Sequence, residues 1–346
     1  MNERERPGER EIDLTPELRA AVGGLPRGIE PPEDLWPGIE NRIRQGKREG
    51  GWGKGLRWWI PLAAAAALVL AFAIWRMAPR NVGVWEVRRV AGTPRVNDAA
   101  LTAVGSLRVG QWLETDDSSR ALLSVGDIGE VDVKPGTLLR LVRARATDHR
   151  LALDRGSIYA QVDAPPRLFF VETPAGTAVD LGCAYSLDVD SLGNGVLRVT
   201  AGYVEFSWNG RRSIVPLGAV AETRRGQGPG TPYVHDASDA LRQALEQFDF
   251  GGGGDTSARA ALAAARPEDA LSVWHLLQRV TPALRPMFYD RLAQLVPPPG
   301  SVTRDDALRL DSAALQRYWD RIRRIAWRRE ILRGVRFLDP GTGLTK

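Results

Sequence analysis

Leu151-Ala152-Leu153-Asp154-Arg155-Gly156-Ser157-Ile158-Tyr159-Ala160-Gln161-Val162 carries the pattern that decides the fold of most of this chain. Leu151 and Leu153, then Ile158, Ala160 and Val162, recur at every second position on either side of Gly156. Such alternation puts successive side chains on opposite faces of an extended strand, one of them apolar. The pattern returns up and down the chain. Val131 and Val133 alternate with Asp132 and Lys134; Tyr185, Leu187 and Val189 with Ser186, Asp188 and Asp190; Val204, Phe206 and Trp208 with Glu205 and Ser207. Asp188 and Asp190 read as the solvated face of their strand. Asn194-Gly195 and Asn209-Gly210 stand between such runs and predict tight hairpins, whose central residues need positive φ. Gly110, Gly156, Gly182 and Gly202 suit strand starts and sharp reversals, and Thr173-Pro174 a bend. Residues 82–235 are therefore predicted to be all-β: a sandwich, a barrel or a coiled stack of sheets. Alternation alone does not choose among them.

Upstream, Trp58 to Trp75 (WWIPLAAAAALVLAFAIW) contains no charged side chain. As a helix it would extend about 27 Å, close to the hydrocarbon thickness of a bilayer. Trp58 and Trp59 at one end and Trp75 at the other match the aromatic belts found at headgroup depth. A buried core helix is rarely apolar on every face over this length, and the preceding leader is too long for a signal peptide. Residues 58–77 thus read as one transmembrane helix. Arg42, Arg44, Lys47, Arg48, Lys54 and Arg57 outnumber the basic residues on the other flank. That bias puts the N-terminus in the cytoplasm and the bulk of the chain in the periplasm or outside, at a bacterial inner membrane.

Residues 1–57 then form a cytoplasmic tail, largely flexible, with a juxtamembrane helix near 33–47. In this polar stretch Leu35, Trp36, Ile39 and Ile43 make an exposed apolar stripe. Two readings stand: a helix resting against headgroups, or a docking segment that orders on a cytosolic partner.

Downstream, residues 236–346 read as helical. A helix is predicted from about Ser238 to Phe248, then a flexible Gly joint at 251–254. Thr281-Pro282 is expected to open a helix with Leu284, Phe288, Leu292 and Leu295 on one face, ended by Pro297-Pro298-Pro299-Gly300. Thr303 to Asp306 looks like a capped start, and Pro267 to Leu277 bears a similar stripe. A last helix near Ser312 to Phe337 sets many arginines around Leu315, Trp319, Ile322 and Ile325. A solvated basic face accounts for it, or a helix lying on anionic lipid.

Composition bounds the function. The chain has 346 residues, 43% hydrophobic and 26% charged, enough for folded domains outside the tail. One cysteine, Cys183, permits no intramolecular disulfide and reads as a small core residue. With three histidines there is no zinc-ligand spacing, so no metal or cofactor is expected. The net charge of +5 comes from basic residues interleaved with acids, which argues against nucleic acid as a partner. No carboxylate pair, Ser/His/Asp set or phosphate loop emerges, so the chain is not expected to be an enzyme.

Several segments carry a resemblance. Gly105-Ser-Leu-Arg-Val-Gly110-Gln-Trp-Leu-Glu-Thr115, Leu151-Ala-Leu-Asp-Arg-Gly156-Ser-Ile, Phe170-Val-Glu-Thr173-Pro174-Ala-Gly176-Thr-Ala-Val-Asp-Leu-Gly182 and Val199-Thr-Ala-Gly202-Tyr-Val204 follow in order. Together they resemble the FecR family, the outer domain of iron-dicitrate-type membrane sensors. Cys183-Ala184-Tyr185 stands where the family usually has Thr-x-Phe. Leu25 to Ile43 (LPRGIEPPEDLWPGIENRI) resembles the juxtamembrane segment of anti-sigma-type membrane regulators. The resemblance implies a single-pass regulator relaying an outer signal to a cytosolic partner, an alternative sigma factor. The alternative is an envelope scaffold or ligand- and partner-binding module without signalling.

Overall fold

The structure, a computed structural model, describes residues 83–333, with side chains to residue 325. The tail, Leu35, Trp36, Ile39 and Ile43, and the apolar stretch with Trp58, Trp59 and Trp75 lie outside the described residues. Among the described residues no helix is long and apolar enough to cross a membrane.

Strands come first. They are β1 (Val84–Ala91), β2 (Arg95–Val96), β3 (Ala99–Ala100), β4 (Val104–Arg108), β5 (Trp112–Glu114) and β6 (Arg120–Ser124). Next are β7 (Gly129–Val133), β8 (Leu138–Arg145), β9 (Asp148–Val162), β10 (Phe169–Thr173), β11 (Gly176–Asp180) and β12 (Ala184–Val189). The series ends with β13 (Gly195–Ala201), β14 (Tyr203–Trp208), β15 (Arg211–Pro216), β16 (Ala219–Arg224), β17 (Gly228–Pro229) and β18 (Tyr233–Val234).

Strand β9 settles what alternation left open. Its first half pairs with β8 and, in parallel, with β10. Its second half pairs with β7 and β12. The chain therefore builds two sheets that share one strand. One sheet runs β4-β1-β6-β7-β9-β12-β13-β16, with β17 and β18 on β16. The other runs β3-β2-β5-β8-β9-β10-β11-β14-β15. Their apolar faces meet in a single core that includes Leu151, Leu153, Ile158 and Ala160 from β9 itself. Gly156, expected at a strand start or reversal, instead marks the crossing point inside a continuous strand, at φ +98°.

The alternation identifies the inward faces correctly at Val131, Val133, Tyr185, Leu187, Val204 and Phe206, all buried. Two acids that alternate with them, Asp132 and Glu205, are buried as well, Asp132 beneath Arg120 and Lys134, Glu205 between Arg167 and Arg212. Pairing with a guanidinium is what makes such burial tolerable. Asp188 is half exposed, as read, beside Arg198. Asn209-Gly210 is the two-residue hairpin predicted, with φ of 45° and 80°, between Trp208 and Arg211. Asn194-Gly195 is not. There the loop is longer: Asp190 Oδ1 accepts from Leu192 N and Asn194 N, Gly193 takes the positive φ, and Gly195 already belongs to β13. The Thr173-Pro174 bend is the β10–β11 reversal, where Thr173 Oγ1 donates to Gly176 O and accepts from Ala175 N.

Six helices follow: α1 (Asp239–Asp249), α2 (Gly254–Ala264), α3 (Ala270–Arg279), α4 (Arg285–Leu295), α5 (Arg304–Leu308) and α6 (Ser312–Arg333). Ser238 and Thr303 cap α1 and α5 by accepting from Leu241 N and Asp306 N. The glycine run expected to be a flexible joint is a reversal held by backbone bonds: Gly251 N and Gly253 N both donate to Gln247 O. Thr281-Pro282 forms a turn, Leu284 N donating to Thr281 O, so α4 starts three residues later than expected. Helix α3 is buried from Ala270 to Leu277 and joins the helices to the sheets within the same apolar core. On α6, Leu315, Trp319 and Ile322 are buried and Ile325 is partly exposed, with Arg317, Arg321 and Arg324 outward.

Candidate functional site

Where β15 meets α3 and the start of α6, the surface opens into a cleft of about 470 Å³. The hairpin at Asn209-Gly210 delivers Arg211 and Arg212 to one wall, and α3 supplies Trp274, His275, Gln278 and Arg279. The junction is held by His275. Its Nε2 accepts from Ile214 N–H at 3.1 Å, which leaves the ring proton on Nδ1 to donate to Leu271 O at 3.0 Å. Burial, and secondly the nearby Arg279 charge, push this imidazole down to about 3, so it stays neutral and its tautomer is fixed.

Arg279 lies at the base. It donates to Thr231 Oγ1 at 2.8 Å, Ser213 Oγ at 2.7 Å, Arg212 O at 3.0 Å and Asp249 Oδ1 at 3.3 Å. Its guanidinium is pushed down to about 10, by burial first and by Arg211 against the opposing pull of Asp249. Asp249, its side chain 2% exposed, also accepts from Arg211, from Thr231 N and from Thr231 Oγ1. Glu205 takes Arg167 at 2.9 Å and Arg212 at 2.6 Å. Two buried carboxylates thus each clamp two guanidiniums.

A second polar cluster sits inside the β-structure. Asp180 Oδ1 accepts from Gly182 N at 2.7 Å, and Oδ2 from the Cys183 thiol at 2.6 Å. Cys183 is the buried core residue expected, though with this polar partner; burial and the adjacent Asp180 push its thiol well above the ordinary range. Asp180 is pushed up from 3.8 to about 6, because burial outweighs its two donors. Asp180 and His275 then act on stability with opposite signs. Between about pH 4 and 6 the folded state keeps a proton on Asp180 that the unfolded chain has lost, so this contribution falls as pH rises. Between about pH 3 and 6.5 the unfolded chain protonates His275 and the folded state does not, so that contribution rises. Asp180→Asn removes only the first. In urea titrations the stability of the variant should gain on the wild type by up to about 1.4 kcal/mol per pH unit from pH 4 to 6. A pH-independent difference would mean that Asp180 titrates as an ordinary carboxylate.

Among the described residues, no three His, Cys, Asp or Glu side chains gather as a metal site. The cleft residues were not legible as a set in the sequence. Arg211 and Arg212 follow a hairpin signal and His275 sits in an apolar helical stripe, but only the tertiary fold brings the two segments together.

Residues 111–205 match the model of the FecR protein family. The chain carries a FecR domain. The FecR segment runs from just before β5 into β14, and so contains β9, its Gly156 crossing and the Thr173–Gly176 turn. The cleft lies largely beyond its C-terminal end. Crystal structures of a candidate anti-sigma factor from Parabacteroides distasonis, at 1.65 and 2.50 Å resolution, are similar at 15% identity with a TM-score of 0.32. The similarity covers 39% of this chain and 64% of theirs, so this chain spans less than two thirds of that protein's length. No curated protein matches the chain.

Proposed function

We propose that this FecR-domain chain is a non-enzymatic, single-pass envelope regulator that relays an extracytoplasmic signal to a cytosolic partner, an alternative sigma factor. The observation that carries the reading is the FecR domain at 111–205. The uncharged Trp58–Trp75 stretch supports an anchor with the N-terminus in the cytoplasm, the FecR domain and helices lying on the far side. Leu35, Trp36, Ile39 and Ile43 supply the docking stripe, since large apolar residues in so polar a tail have no core of their own to join.

The test pairs crosslinking pulldown of the partner with transcription of its target genes in a Trp36→Ala strain. Buried aromatic anchors contribute about 2 kcal/mol or more at an interface. The complex should therefore weaken tenfold or more and target transcription should change, with membrane insertion intact. A reporter active only outside the cytoplasm should work when fused after Lys346 and fail near Gly50. No change in pulldown or transcription would leave the scaffold or binding-module reading, which the cleft favours. The reverse reporter pattern would overturn the orientation.

A further inference from the structure

The cleft between β15, α3 and α6 has a composition that selects a ligand. Its lining includes three guanidiniums, of Arg211, Arg212 and Arg279, and no carboxylate. The acids that hold these arginines, Asp249 and Glu205, lie behind the wall, side chains 2% and 8% exposed. Between them they serve four arginines, counting Arg167, so the cluster keeps a surplus of positive charge. The nearest acid along the chain, Asp311, is engaged as the cap of α6, accepting from Ala314 N at 2.8 Å. A cleft lined by charge of one sign with low-dielectric walls concentrates the opposite charge.

The remaining wall is apolar: Ile214, Trp274, Leu310 and Leu315. Leu310 is held at φ 58°, a conformation an L side chain with a Cβ adopts at a cost and one that recurs at ligand sites. Two donors on lining residues, Arg211 Nε and Trp274 Nε1, are buried without a hydrogen-bond partner. Leaving such donors unsatisfied is costly, and an acceptor entering the cleft would relieve it after a small turn of either side chain. The volume of about 470 Å³ lies within the range of small-molecule sites.

We infer that this cleft binds a small organic carboxylate with an apolar body, its carboxylate on the Arg211–Arg212–Arg279 wall and its body against Trp274, Leu310 and Leu315. The forks of Arg212 and Arg279 are already given to Glu205 and to Thr231, Asp249, Ser213 and Arg212 O, so the wall's surplus positive charge, rather than a free fork, draws the carboxylate. This goes beyond the signalling role and is separable from it, since binding here is read without the tail or its partner.

Calorimetric titration of the full-length chain with 4-phenylbutyrate, its neutral isostere 4-phenylbutyramide and inorganic phosphate tests it. The acid should bind saturably at one site, and the amide and phosphate at least tenfold more weakly. Ser312→Glu places a negative charge on the cleft rim in the first turn of α6, where an acid favours the helix. Arg212→Gln removes one of the three positive charges of the wall while Arg167 still holds Glu205. Each variant should weaken 4-phenylbutyrate binding tenfold or more at an unchanged melting temperature; should Ser312→Glu unfold the chain, Arg212→Gln alone decides. Equal binding of acid and amide, equal binding of phosphate, unaltered binding by a folded variant, or no saturable binding of 4-phenylbutyrate would overturn the assignment.

Discussion

Gly156→Ala should destabilise the folded chain by about 3 kcal/mol or more, combining the strain of a left-handed backbone with steric overlap. Gly156 has φ +98°, and a Cβ there would stand 2.3 Å from Thr137 Cα and 2.4 Å from Thr137 Oγ1. Neither is the yielding end of a long side chain. Thr137 Oγ1 accepts from Ser157 N at 3.0 Å and donates to Ser157 O at 3.1 Å, and Thr137 N donates to Thr115 Oγ1 at 2.9 Å. Only a residue without Cβ lets this threonine lie flat against the bend of β9 and satisfy the peptide groups exposed there. Since whole-domain stabilities run about 5–15 kcal/mol, the loss should be plain in a urea titration of the full-length chain. A loss below about 1 kcal/mol would mean that the strand can bend elsewhere and that Gly156 does not fix the crossing.

Phe206→Ala should cost about 3–5 kcal/mol, the range for truncating a buried aromatic ring. Phe206 is fully buried on β14, opposite Ala178 of β11. A Cβ on Gly176 would meet the ring edge at 2.8 Å, so the ring packs directly over the start of β11. Alanine at 178 and glycine at 176 offer no side chain that can swing in to fill the void. An unchanged melting temperature would place the ring at the surface and undo the register of β14.

The β-structure was largely legible because burial of one face imposes period two, and Tyr185, Leu187, Val131 and Val133 obey it. Topology was not. A strand that serves two sheets has the same local pattern as one that serves a single sheet, and the change of partners at Gly156 is a long-range event. The burial of Asp132 and Glu205 was not legible for a related reason: their arginine partners lie on other parts of the sheets. The helix starts at Ser238 and Thr303 were readable from side-chain caps, whereas Thr281 closes a turn before α4. The cleft joins Ile214 to His275 across 61 positions, beyond any pattern in a window. The tail stripe and the apolar stretch rest on sequence alone.

Because β9 is flanked on both sides along both halves, neither sheet can peel away and leave the other whole. Opening the β8–β9 or β9–β10 ladder also loosens the strand that β7 and β12 need. Amides in β9 should exchange their hydrogens with solvent only when the whole body unfolds, while those at the short outer strands β3 and β17 exchange through local fraying. The two sheets thereby form one foldon, and a substitution on either side is felt as a change in a single cooperative transition.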